Sequence, residues 1–101
     1  MLLSFGVEEK NIRKTAITGL VVDIQGKGEP KEGGISVIAL RADMDALPMP
    51  ENNPTLPYRT ITKGAHMCGH DGHTTTLLAA TQVLMKRINN IPSNKTVRLL
   101  F

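Results

Sequence analysis

The sequence predicts an α/β fold, a partial open sheet with one flanking helix. Three observations carry that expectation. Two runs rich in β-branched residues, TAITGLVVDIQG (15–26) and ISVIALRAD (35–43), lie in the first half. A helical apolar stripe occupies 73–88, with Leu77, Ala80, Leu84 and Ile88 on one side. A third strand-like run, KTVRLLF (95–101), follows the helix, as in half of an open α/β layer.

Taken in order, residues 1–14 are mixed, with Ser4 placed to cap a short helix and Glu8 and Glu9 in its early turns. The run at 15–26 is read as one strand. GKGEPKEGG (26–34) is turn chemistry, and the strand at 35–43 is apolar almost throughout, as in a strand covered on both faces. These two strands are expected to form a long hairpin. ALPMPENNPTLPYR (46–59) holds prolines at 48, 50, 54 and 57, which neither a helix nor a central strand tolerates. It is expected to be an ordered, packed loop of the kind that lines sites. Asp71 is the expected N-cap of the helix; Lys86 and Arg87 suit its last turn, and Asn89, Asn90 and Pro92 end it. Leu99, Leu100 and Phe101 need a partner on at least one face.

Composition bounds the function. At 101 residues there is room for one small core, and with aromatics at 3% that core is aliphatic. The net charge of +3 is spread along the chain with no basic run, so nucleic-acid binding is not expected. No stretch approaches the roughly 20 apolar residues of a membrane span, and no membrane association is expected. MLLSFGVEEKN has no basic segment before its apolar tip, which makes it a poor signal peptide. A single cysteine excludes an internal disulfide and suits a reducing compartment, so a cytoplasmic location is the expectation.

The informative stretch is GAHMCGHDGHTTT (64–76), where all three histidines and the only cysteine fall within eight positions. One such residue alone is usually a packed or solvated side chain; the clustering is what favours a metal site. Cys68 and His70 are two apart, so in extended chain both side chains reach toward one ion. His70 and His73 are three apart and share a face if the helix has begun. A thiolate would also be favoured at the positive end of a helix. There is no second ligand pair, so this is not a structural zinc finger, and remaining ligands must come from elsewhere. In RADMDALPMPE (41–51), Asp43 and Asp45 close an apolar strand, where open α/β sheets place ligands. A carboxylate there serves as a ligand or holds a ligating imidazole.

ALRADMDALPMPE, LPYRT and CGHDGHTTTLLAA closely resemble the aminoacylase/carboxypeptidase family of dinuclear metal amidohydrolases. The nearest branch holds hippurate hydrolases, N-acyl-amino-acid deacylases and auxin–amino acid conjugate hydrolases. The resemblance covers about residues 15–101, and TGLVVDIQG is similar to the strand before these motifs. It implies that Cys68 and His70 ligate metal and that Asp45 orients a ligating group. Asp43 matches a position near the metals without an assigned role, and Asp71 and His73 match supporting positions. His66 lies between Ala65 and Met67 where the family usually reads Met-His-Ala, which implies altered packing only.

The resemblance further implies two divalent ions, zinc or manganese, and hydrolysis of the amide bond of small N-acyl amino acids or peptide-like substrates. In the family, a strand like VRLLF leads to a Glu pair that supplies the general base and a ligand, and two more histidine ligands follow. Residues 1–101 are therefore expected to be an N-terminal piece of a zinc-peptidase-like catalytic domain. They lack the base and the smaller dimerisation domain, are inactive alone, and need the remainder of the domain. The alternative is a non-enzymatic metal-binding or association module, a degenerate homologue, with homo-oligomerisation as the form of association.

Overall fold

A computed structural model describes all 101 residues. Four strands form one sheet: β1 (Ile12–Thr15), β2 (Gly19–Gln25), β3 (Ser36–Arg41) and β4 (Lys95–Leu100). One helix, α1 (His70–Lys86), connects β3 to β4. Single 3-10 turns occur at Leu3–Phe5, Glu9–Asn11 and Ile88–Asn90. No helix is long and apolar enough to cross a membrane. The α/β expectation holds in its elements.

The topology departs from the expected hairpin. The strand order is β1-β2-β4-β3, so β4 lies between the two runs that were to pair. It runs antiparallel to β2 and parallel to β3. A parallel pair needs a long crossover, and residues 42–94, with α1 inside them, supply it. The expected strand at 15–26 is also broken. Only its first residue, Thr15, belongs to β1, which pairs antiparallel with β2 across a tight turn that contains Ala16 and Ile17. Both turn residues have positive φ, 47° and 69°. Such turns ordinarily carry Asn-Gly, so Ala-Ile gave no turn signal.

The core sits on one face of the sheet. Val22 and Ile24 of β2 are in register with Leu99 and Val97 of β4, and all four are buried. Leu77 of α1, with Leu84, Met85 and Ile88, packs there, joined by Val7 and Leu2. Of the stripe read from the sequence, Leu77, Leu84 and Ile88 pack there, with Thr81 added and Ala80 left outside the cluster; the helix ends at Lys86, so Ile88 lies in the 3-10 turn that follows. The Thr81 hydroxyl is fully buried and donates to the Leu77 carbonyl at 2.7 Å, which satisfies it within the helix. On the opposite face Arg98 grips Asp23 bidentately at 2.7 and 2.9 Å, and Arg13 reaches the same carboxylate at 3.0 Å. These contacts hold the Asp23 carboxyl below the usual range, chiefly through the Arg98 hydrogen bonds.

Other local expectations are corrected. The helix begins earlier than 73 and its N-cap is Gly69, so Asp71 is its second residue rather than its cap. Ser4 lies inside a 3-10 turn and donates back to the Met1 carbonyl instead of capping a helix. The chain-terminal run finds the partner it was expected to need on one face: β4 is interior to the sheet, Leu99 is 0% exposed, and Leu100 and Phe101 are half-buried. β3, read as covered on both faces, is exposed at every residue because α1 lies over β2 and β4. The proline-rich loop has one backbone bridge, Leu47 to Ala65, and Tyr58 stands 80% exposed rather than packed. Gly26 and Gly28 are required where they stand, because a Cβ on either would collide with backbone of residues 89–92.

Candidate metal centre

The site forms where the end of β3 meets the start of α1. Ala42 continues the ladder past β3, its amide donating to the Leu100 carbonyl at 2.9 Å. Asp43 and Asp45 follow immediately. From the helix side, His70 and His73 occupy the first turn, three residues apart, with ring centroids 5.7 Å apart and roughly parallel planes. Thr74 locks the two elements together: its hydroxyl donates to the Asp43 carbonyl at 3.1 Å.

Both imidazoles are held by carboxylates. His73 Nδ1 lies 2.7 Å from Asp43 Oδ1. His70 Nδ1 lies 2.9 Å from Asp45 Oδ1 and 3.2 Å from the Asp45 carbonyl oxygen. In the tautomer that carries its proton on Nδ1, donated to these acceptors, His70 turns the lone pair of Nε2 inward. That atom faces Asp43 Oδ2 at 3.5 Å. Two acceptors facing each other repel unless a cation or a proton lies between them. Two ligands at about 2.1 Å from a tetrahedral ion are about 3.4 Å apart, so the gap suits a metal. Ligand atoms of Asp43, His70 and His73 all lie within 4.8 Å of one another. The hydrogen bond from His73 holds the Asp43 carboxyl below the usual range, with smaller help from His70, and so keeps it anionic. This donor set fits a divalent cation.

The remaining sequence candidates sit apart from that cluster. Cys68 is exposed with a free thiol, and its sulfur is not among the grouped ligand atoms. The extended geometry assumed for Cys68 to His70 is absent, since Gly69 is the helix cap. His66 and Asp71 line a neighbouring cavity of about 400 Å³ with Glu51, Tyr58 and Thr60. There Glu51 Oε2 accepts the Thr60 amide at 2.8 Å. A second open cavity, about 490 Å³, borders Asp43 and Asp45 on the sheet side and reaches Thr18, Arg41 and Phe101. Sequence reasoning missed Thr74, which lies in a run of three threonines that offers no way to single it out. The grouping of His73 with His70 was signalled by their spacing.

The chain has relatives among known proteins. Residues 39–101 match the model of peptidase family M20/M25/M40. N-acetyl-L-cysteine deacetylase of Bacillus subtilis is 45% identical over 92 residues, covering 89% of this chain and 20% of that protein. IAA-amino acid hydrolase ILR1-like 2 of Arabidopsis thaliana is 43% identical over 85% of the chain and 18% of its own length. Hippurate hydrolase of Campylobacter jejuni is 44% identical over 82% and 20%. Among solved structures, the Bacillus subtilis YXEP protein is described as a dinuclear metal binding peptidase from the M20 family. It superposes with a TM-score of 0.76 at 33% identity, over 99% of this chain and 26% of its own. The chain spans about a fifth of the length of these curated relatives. The matched model covers the end of β3, both aspartates, the whole histidine cluster and β4, and the chain belongs to peptidase family M20/M25/M40.

Proposed function

We propose that this chain is the metal-gripping part of a hydrolase that cleaves the amide bond of N-acyl amino acids. The observation that carries the reading is the facing pair of His70 Nε2 and Asp43 Oδ2, 3.5 Å apart, at the junction of β3 and α1. The substrate class comes from the relatives. N-acetyl-L-cysteine, IAA-amino acid conjugates and hippurate share an acyl group on the nitrogen of an amino acid.

His70 ligates through Nε2, and Asp45 orients it by accepting from Nδ1. Cys68, adjacent to the helix cap and solvent-accessible, supplies a thiolate after its side chain turns inward. Asp43 adds negative charge beside the ion and fixes the ring of His73. His66 and Asp71 border the approach to the site, and Asp71 favours the helix terminus electrostatically. The chemistry supplied by two bound divalent ions, zinc or manganese, is polarisation of an acyl carbonyl and acidification of a water. The general base and the other ligands come from polypeptide outside these 101 residues, as does any dimerisation domain. Glu51 is engaged by the Thr60 amide in the neighbouring cavity.

The test is a chimera in which this chain replaces the aligned region of the Bacillus subtilis N-acetyl-L-cysteine deacetylase. The chimera is expected to cleave N-acetyl amino acids with added zinc or manganese, and His70→Ala is expected to abolish cleavage. A folded chimera without activity, or one indifferent to His70→Ala, refutes the reading. The 101 residues alone are expected to bind metal without turnover. Turnover at about 1–1000 per second would place the base within them.

A further inference from the structure

Asp43 is held from the helix. The Ala42 amide still makes a ladder bond, to the Leu100 carbonyl at 2.9 Å. At the next residue the contacts change element, and they come from two consecutive positions of α1. His73 Nδ1 lies 2.7 Å from Oδ1 of the Asp43 carboxylate. The half-buried Thr74 donates its hydroxyl to the Asp43 main-chain carbonyl at 3.1 Å, across 31 residues of sequence.

The Thr74 bond stands apart from those of the other threonines of α1. Thr75 donates to the Asp71 carbonyl at 2.8 Å, Thr76 to the Gly72 carbonyl at 2.8 Å and Thr81 to the Leu77 carbonyl at 2.7 Å. Bonding back to the carbonyl four residues earlier is the ordinary habit of a threonine inside a helix. Thr74 instead turns its hydroxyl off α1 and onto the chain leaving β3. The nature of the acceptor matters. A carbonyl oxygen is part of the backbone, so this bond fixes the peptide group of Asp43, while His73 fixes the carboxylate. Held at both ends, the side chain keeps little rotamer freedom. With Oδ1 taken by His73, Oδ2 is the atom left facing His70 Nε2 at 3.5 Å.

We propose that Thr74 is a positioning residue of the metal centre. By tying the Asp43 main chain to the first turns of α1, it sets the gap between Asp43 Oδ2 and His70 Nε2 before a cation arrives. This deepens the proposed function and rests on its metal centre. The gap is close to the separation of about 3.4 Å between two ligands of a tetrahedral ion. Without the tie, the segment after β3 must be ordered at the moment of binding, and that ordering is subtracted from affinity. One hydrogen bond is ordinarily worth about 1 kcal/mol, which is about fivefold in a binding constant.

The experiment titrates the 101-residue chain with Zn²⁺ against a chromophoric chelator, well below the melting temperature of every variant. Thr74→Val removes the hydroxyl and keeps the shape of the side chain. Its affinity is expected to fall about fivefold and to recover in Thr74→Ser. Thr75→Val removes a neighbouring hydroxyl that bonds within α1, and is expected to bind Zn²⁺ like wild type. A second readout needs no metal. In the apo chain the His73 Nδ1 proton, followed by nuclear magnetic resonance, is expected to exchange with water faster in Thr74→Val than in wild type. Wild-type affinity in Thr74→Val, or equal losses in the Thr74 and Thr75 variants, overturns the role of Thr74 and leaves the metal centre standing. Zn²⁺ binding by none of the proteins, wild type included, refutes the metal centre and the role together. If Thr74→Val does not fold, Thr74→Ala and Thr74→Ser are compared in the chimera described above. Weaker Zn²⁺ binding by Thr74→Ala then supports the role, and equal binding overturns it.

Discussion

Removing the Asp45 carboxylate should weaken divalent metal binding by about tenfold. Carboxylates that hold the far nitrogen of a ligating histidine are ordinarily worth about 10–100-fold in affinity. Two features of this site place Asp45 at the lower end. Its side chain is 72% exposed, so water competes for the imidazole N–H. Its own carbonyl oxygen lies 3.2 Å from the same nitrogen and remains after Asp45→Ala. Asp45→Asn keeps an acceptor but loses the charge and should fall between wild type and Asp45→Ala. Asp43→Asn removes charge facing His70 Nε2 directly and should cost more than either. The assay is competition for Zn²⁺ or Mn²⁺ against a chromophoric chelator, on proteins of matched thermal stability. An Asp45→Ala protein with wild-type affinity would show that His70 is not oriented through Nδ1. Equal losses at Asp43 and Asp45 would show that the two carboxylates do not act at different distances from the ion.

Three further outcomes are expected. Ile17→Gly should stabilise the chain by about 1 kcal/mol, since relief of a left-handed β-branched residue exceeds the entropy cost of glycine. Ile17 is fully exposed and loses no burial; a lowered urea midpoint would contradict the turn. Asp23 should contribute acid-sensitive stability: its folded carboxyl titrates below the ordinary range, so its contribution is complete at neutral pH and is lost as pH falls below about 4. With Arg13 and Arg98 half-exposed, Asp23→Asn should cost only about 1 kcal/mol at pH 7. Denaturant melts at pH 3 and 7 should show the two proteins converging in acid. Gly26→Ala should destabilise by about 2 kcal/mol or more, because its Cβ meets immobile backbone at Ile91 and Pro92. An unchanged melting temperature would place that crossing wrongly.

The elements were legible in the sequence where pattern and local chemistry agreed. Leu77 and Leu84 announced the buried side of α1, and the acid and imidazole residues pointed to the candidate site. What was hidden depended on non-local choices. Strand order follows from which apolar runs can share a face with α1, and no local signal distinguishes a hairpin of β2 with β3 from β4 entering between them. The Ala16–Ile17 turn was invisible because neither residue favours positive φ. Asp71 offered cap chemistry, but the helix starts one residue before it, at His70. The nearly continuous apolar run of β3 described a buried strand. The 101 residues leave it bare, and that conflict is the most informative one in the molecule.

The claim at the centre of this account is that the junction of β3 and α1 holds a divalent cation. Crystals grown with Zn²⁺ or Mn²⁺ and measured at the metal absorption edge test it directly. The account predicts an anomalous peak about 2 Å from His70 Nε2, on the side of Asp43 Oδ2, that disappears in His70→Ala. Full metal occupancy at any other place, with the space between those two atoms empty, would contradict it.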